Sequence, residues 1–391
     1  MDNVTHTLIG ISAGEALAVH RKKARVPIWI ASGIGNNLPD LDVLATTFVF
    51  RDKLGYLLHH RGHTHTFLAT PLLALLVLLP LWLVWRKKPE IPWREIVLVL
   101  LLGTPLHLLA DFWNSYGVHP FWPLANDWIY GDMVFIVEPW IWLLLLPPIF
   151  FASTSRVGKG ISLALTALIL GLAWYHEFVP WPAALALTFG AALFYALSYR
   201  LKNRGPRIAL AGTLLVLFLS SLAGMSSTLR ERHQLAGAEL LLQPFPANPF
   251  CWSAMRATIT PEQYQAELLV VTPFPEIVPP SRCPVLLSQG STAPLEPALV
   301  EPTQDRQGIG TFRSNRATYD SLAQNCHMNA FLRFARFPFW IEKEKTWVVG
   351  DLRFDRGPDL GFSEFEIPKE NKNCPGTLPP WRGRFHPSRV N

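Results

Sequence analysis

Long apolar runs fill the first 225 residues of the chain and then stop. They fall at about 4–19, 27–48, 67–85, 95–110, 133–151, 161–175, 183–199 and 208–225. Several reach the ~17–25 residues that a helix needs to cross a bilayer. The first two are the weakest. Gly33, Gly35 and the pair Asn36-Asn37 interrupt the second, which suits a half-buried or re-entrant segment as well as a clean span. The pattern predicts an α-helical polytopic membrane domain of about eight segments over residues 1–225. Beyond residue 226, short β-type runs such as 267–272 and 345–354 alternate with Pro/Gly breaks. That second pattern predicts a β-rich or α+β soluble domain over 226–391.

Charge then orients the segments. The loops 20–26, 86–94, 152–160 and 200–207 hold fourteen Lys and Arg residues, including Arg21, Lys22 and Lys23. The alternate loops before residue 226 hold three, Arg51, Lys53 and Arg61. Basic loops stay on the cytoplasmic side of a membrane. The expected location is therefore a bacterial-type inner membrane, with both termini and the soluble domain on its outer side. The net charge of +6 comes from these clusters, so it does not point to nucleic acid. The first residues lack a signal peptide's charged start and cleavage site, so residues 4–19 are expected to be retained. All four cysteines, Cys251, Cys283, Cys326 and Cys374, lie in the second domain. One or two disulfides in an oxidising compartment fit this placement, and four buried thiols are the alternative.

The same orientation gathers the ionisable residues of the first domain at one face. His6, Asp40, Asp42, His59, His60, His63, His65, His107, Asp111, Asp132 and Glu138 all fall at outer ends or in outer loops, and His20 alone among these histidines lies inward. His107 and Asp111 are spaced i, i+4, on one face of a helix that Pro105 should kink. An ionisable group there costs a few kcal/mol unless it has a partner. Asp40 could equally cap a helix, and Asp132 could answer a helix dipole. Taken together, imidazoles and carboxylates without a thiolate suit Zn²⁺, with Mn²⁺ or Fe²⁺ as alternatives, in a site of one or more ions. The expected ligands are His6, Asp40, Asp42, His60, His65, His107 and Asp111. No GxSxG elbow, P-loop or glycine-rich dinucleotide turn stands where it would be needed.

The first ~140 residues resemble the YdjM-like family (DUF457), membrane-bound proteins described as metal-dependent hydrolases. The matching elements are Thr5-His6 with Gly10, Pro39-Asp40-Leu41-Asp42, His60-Arg61-Gly62 with Thr64-His65, His107 with Asp111 and Tyr116-Gly117, and Asp132 with Phe135. Thr66 stands where the family has Ser, and Glu138 where it has Asp before proline. His59 and His63 lie outside the pattern. The resemblance implies a metal-dependent hydrolase. The ligand order is similar to that of zinc-dependent phospholipases C and nucleases, which leans the substrate toward a phospholipid or lipid-linked phosphoester. On that reading Glu138 or Asp132 accepts a proton from water, and Arg61 pairs with an anionic oxygen. A metal transporter, or a sensor with an exported domain, is the alternative function.

Overall fold

The computed structural model describes residues 1–20, 25–287 and 290–390. The expected basic positions Arg21, Lys22 and Lys23 lie outside the described residues. Helix α1 (Asn3–Leu17) begins at an Asp2 cap and packs antiparallel on α2 (Arg25–Gly35). A short 3₁₀ turn, Pro39–Leu41, leads into α3 (Asp42–Ala45), a π-helical turn and α4 (Lys53–His59). Then come α5 (Thr70–Trp85), α6 (Trp93–Phe112), α7 (Pro139–Ala152), α8 (Arg156–Tyr175), α9 (Trp181–Arg200) and α10 (Arg204–His233).

The expected count of eight membrane segments is not what the helices support. Among the described residues, five are long and apolar enough to cross: residues 67–85 with α5 at their core, α6, α8, α9 and α10. Helices α1, α2 and α7 have 15, 11 and 14 residues. At ~1.5 Å per residue they fall short of a ~30 Å hydrocarbon layer. The fifth apolar run, expected from 133, spends its first residues in irregular backbone and becomes helical only at Pro139. The resulting α7 is buried nearly throughout, at the centre of the bundle. Its sequence is apolar because neighbouring helices surround it.

Close backbone approach holds α1, α2 and α6 together. A Cβ on Gly10 would lie 2.6 Å from the carbonyl of Ser32, and one on Gly103 would collide with the backbone of Gly35. Small residues at helix contacts permit this approach within a membrane. Arg204 donates to the Val19 carbonyl at 2.6 Å and pairs with Glu15, and Ile91 packs in one cluster with Ala18 and Ile28. The loops 86–94 and 200–207 thus gather at one end of the bundle, with the C-terminus of α1.

The opposite end carries the C-terminal domain. Helix α10, 30 residues long, runs past the expected junction at 225/226 and leads into the first strand. Strands β1 (Glu239–Phe245), β2 (Asn248–Ile259), β3 (Gln263–Val271) and β4 (Arg306–Asn315) form an antiparallel meander. Strands β5 (Pro338–Glu342), β6 (Thr346–Asp351) and β7 (Phe365–Pro368) form a second antiparallel sheet. Disulfides join Cys251 to Cys283 and Cys326 to Cys374. Successive side chains of a strand face opposite ways. Leu241, Met255, Leu268 and Val270 therefore enter the domain's own core. Leu240, Leu242, Trp252, Ala254 and Leu269 pack in one cluster with Ile141, Ile169 and Leu229 of the helices. Both faces of the first sheet are covered, which accounts for the unbroken Leu240-Leu241-Leu242.

Charged groups pin this joint. Arg336 pairs with Asp132 at 2.9 Å and with Glu239. Arg353, fully buried, pairs with Asp351 and donates to the Ser115 carbonyl at 2.8 Å. Glu138, just ahead of α7, caps it through Trp140 N–H at 3.2 Å and also accepts from Ala247 N–H at 3.3 Å, in the β1–β2 turn. Burial pushes its carboxyl up to about 8, against the pull of those two N–H donors. A raised acid binds its proton in the folded state at pH values where the unfolded chain has released it. Stability therefore falls as pH climbs from the ordinary value of 4.5 to about 8. Glu138→Gln should remove that slope. In thermal unfolding of the solubilised protein, the melting temperature of the variant relative to wild type is expected to rise across this window. A constant difference would contradict a buried, proton-holding Glu138.

Candidate metal centre

The centre lies at the end of the bundle that bears the C-terminal domain, and four segments build it. Asp40 comes from the 3₁₀ turn after α2, His65 from the loop after α4, and His107 and Asp111 from successive turns of α6. One ligand atom from each of these four lies within 4.8 Å of all the others. His65 Nε2 and His107 Nε2 face each other at 3.1 Å. Asp111 Oδ2 lies 3.4 Å and 3.3 Å from them, and Asp40 Oδ1 3.4 Å and 3.5 Å. His65, His107 and Asp111 are buried to 1% exposure or less.

Hydrogen bonds on the far side of each ring aim these atoms. His107 Nδ1 donates to the Asn36 carbonyl at 2.8 Å, which leaves the Nε2 lone pair directed at the cluster. His65 Nδ1 lies 3.2 Å from Asp42 Oδ2, an arrangement that orients metal-binding imidazoles. Asp42 also holds His60 Nδ1 at 3.0 Å and accepts from Thr64 Oγ1 at 3.1 Å. Asn36 in turn donates to the His6 carbonyl, so one asparagine links α1, α2 and α6 at the site. The proline at 39 and the paired asparagines end α2 here, which brings two carboxylates to the cluster.

His6 stacks on His107 with ring centroids 3.7 Å apart, and its Nε2 lies 3.3 Å from Asp111 Oδ1. Neither of its ring nitrogens has a hydrogen-bond partner, and neither does Asp111 Oδ2. Buried polar atoms without partners are costly and call for an explanation. Arg61, in left-handed backbone at φ +59°, donates to Asp111 Oδ1 at 2.8 Å and lies 4.4 Å above the Tyr116 ring. It also donates to Asn114 Oδ1 at 3.2 Å, while its Nε–H has no partner. The Met1 amine contacts Asp111 as well.

The local field draws positive charge to these acids. For Asp40, burial favours the neutral form, but the hydrogen bond from His65 and the charges of His107 and His65 prevail and lower its pKa. Asp42 is lowered in the same way, by the charge of His65 and hydrogen bonds from His60 and His65 against burial. Burial opposes charge on His65, yet Asp42, Asp111 and Asp40 raise it well above the usual imidazole value. Two nitrogens and two carboxylate oxygens that converge in this way form a donor set for a divalent cation, which would take the place of the imidazole proton. A second group, Asp40, Asp42 and His60, shares Asp40 with the first.

The structure thus brings together all seven expected ligands, His6, Asp40, Asp42, His60, His65, His107 and Asp111, with Arg61 beside them. It does not bring in Asp132 or Glu138. Their partners are Arg336 and the backbone of Trp140 and Ala247, so neither is placed to take a proton from water in the cluster. The sequence pattern put both acids only at the same expected end of the segments as the ligands, a property equally true of residues that seat the C-terminal domain. His59 stacks on Phe50, and His63 packs edge-on against Trp122. Asn36, which the sequence marks as a break without giving it a role, and Asn114, which it does not mark, are positioning residues. Asn36 had a visible signal, a polar residue in an apolar run; Asn114 had none.

A cleft of about 620 Å³ opens beside the cluster, with Asp40, His60 and Arg61 at its polar end and Leu41, Leu44, Ile136, Phe354 and Phe362 along its walls. Residues 1–178 match a family model described as YdjM inner membrane protein. The uncharacterized protein YfhP of Bacillus subtilis (strain 168) is 26% identical over 148 residues, 37% of this chain and 43% of YfhP. The chain therefore spans less than half the length of that relative. No solved structure matches the chain. Residues 1–178, less than half of the chain but including the whole His/Asp cluster, are thus similar to the YdjM inner membrane protein family, and the C-terminal domain lies beyond that match.

Proposed function

We propose that the protein is a membrane-bound metal-dependent hydrolase that cleaves a phospholipid or lipid-linked phosphoester at the outer membrane–water boundary. The observation that carries this reading is the convergence of four donor atoms from Asp40, His65, His107 and Asp111 next to a cleft with a polar end and apolar walls. Those four residues would hold the ion, zinc in the first instance, with His6 against them. Bound there, a divalent ion would lower the pKa of water and polarise a phosphoryl oxygen.

The chain's own groups supply the rest. Asp42 holds His60 through Nδ1, which leaves the second imidazole nitrogen to accept a proton in the cleft. This pairing takes the role that Glu138 and Asp132 do not fill. Arg61 keeps Asp111 in place and has a free Nε–H to offer an anionic oxygen. Leu44, Phe48 and Val49 are 55–70% exposed around the turn after the cleft, in keeping with a site that meets lipid.

The purified protein is expected to hydrolyse at least one member of a panel of phosphatidic acid, phosphatidylglycerol and polyprenyl-phosphate esters. Chelation should stop the reaction, and His60→Ala should slow it about a hundredfold or more with metal content retained. Metal bound with no turnover across the panel would favour a sensing or transport role. For orientation, reporter fusions after residue 205 and at the C-terminus are expected to report opposite sides of the membrane. Finding both on one side would contradict an outward-facing site.

A further inference from the structure

A second cavity of about 620 Å³ lies between α1 and α2, and no part of the proposed chemistry uses it. Its walls include Ile11, Trp29, Ile30 and Ile34, and Gly33 forms its floor. A Cβ on Gly33 would meet only Ile11 and Thr7, at 3.7 and 3.8 Å, so a glycine here leaves the space open. Ile30 and Ile34 are each 42% exposed, on the outer face of α2. Helix α2 rises only about 16 Å over its 11 residues, roughly half the ~30 Å hydrocarbon layer. The groove is therefore confined to about one leaflet.

It ends at the metal centre. Leu41 lines both this groove and the cleft that holds Asp40, His60 and Arg61. Between them runs a polar seam. Asn3 Nδ2 donates to Asn37 Oδ1 at 3.3 Å and to Asp40 Oδ2 at 3.0 Å, and Asn37 donates to Thr7 Oγ1 at 3.0 Å. An apolar channel that becomes polar at one end, and leads there to the candidate ligand Asp40 and to Arg61 with its free Nε–H, matches an amphiphile with one long chain and an anionic head.

We propose that the α1–α2 groove seats one hydrocarbon chain of the substrate lipid, so that its phosphoester is delivered past Asn3 and Asn37 to Asp40. This rests on the hydrolase reading above for the identity of the head group. The occupant is a lipid with a phosphate ester at the chain's polar end, distinguished from bulk lipid by the Arg61 guanidinium in the cleft at that end. The competing environment is bilayer lipid, so the groove holds a chain by its shape and its polar end, and a ring that fills it should exclude the chain by overlap and weaken binding about tenfold.

The test uses the full-length protein in nanodiscs and two photoactivatable probes with a diazirine on the same acyl chain, one a phosphatidic acid and one the matching neutral diacylglycerol. The phosphatidic acid probe is expected to label peptides of α1 and α2 around Trp29–Gly33, in competition with unlabelled phosphatidic acid. Gly33→Phe should cut that labelling about tenfold by filling the groove while metal content stays at the wild-type level, and Gly33→Ala should label as wild type. If Gly33→Phe does not fold, Ile34→Trp narrows the same groove and carries the same expectation. Equal labelling by the neutral probe would mean that bulk lipid fills the groove, and would overturn the proposal. So would labelling unchanged by Gly33→Phe or Ile34→Trp. Specific labelling in a protein that binds no metal would support the lipid seat and sink the hydrolytic chemistry, so the two readings fail separately.

Discussion

Two imidazoles and two carboxylates turn their lone pairs toward one another at the end of an apolar bundle, and much of the first domain serves to hold them there. Left alone, such groups are costly at the edge of a membrane, and mutual contact does not satisfy them all. His6 and Asp111 Oδ2 remain without hydrogen-bond partners although both are buried. A divalent cation would resolve this conflict in one step, because the ring nitrogens of His6 and Asp111 Oδ2 can all donate to metal. The surrounding bonds have the matching sense: Asn36 and Asp42 occupy the outer nitrogens of His107 and His65, which leaves the inner ones facing the cluster.

The C-terminal domain is part of the same arrangement. Arg353 reaches from beside β6 to the Ser115 carbonyl, four residues after Asp111, and Phe354 and Phe362 form walls of the cleft. Lys53 of α4 donates to the carbonyl of Gly361 at 2.7 Å. The loops that carry the candidate ligands are therefore closed over by a domain that itself carries none of them. In return, that domain depends on the bundle, because one face of its first sheet is buried in a cluster that includes side chains of α7, α8 and α10.

Much of this was legible in the chain before the structure. The i, i+4 pair His107/Asp111, the Pro39-Asp40-Leu41-Asp42 turn and the His60–His65 stretch carry their chemistry in residue type and spacing, and the structure brings all three together. The expectation of disulfides in the second domain was also sound: all four cysteines lie in that domain and pair as Cys251–Cys283 and Cys326–Cys374. What was not legible depends on long-range packing. Hydropathy cannot separate a helix buried by protein from one buried by lipid, so α7 read as a span. Sidedness cannot separate an acid that faces the cluster from one that clamps a neighbouring domain, so Asp132 and Glu138 were grouped with the ligands. Asp42 read as a ligand, and it stands both in the second possible metal group and as a support of two histidines, a double placement that only the geometry reveals.

The central claim is that this cluster holds a metal ion, and elemental analysis of the purified protein tests it most directly. Protein purified without chelator should contain at least one equivalent of a divalent transition metal. A His107→Ala, Asp111→Ala variant of unchanged size-exclusion profile should contain almost none, and Asp132→Asn should keep the wild-type amount. Equal metal content in wild type and the double variant would contradict the account, and with it the hydrolytic function built on the site.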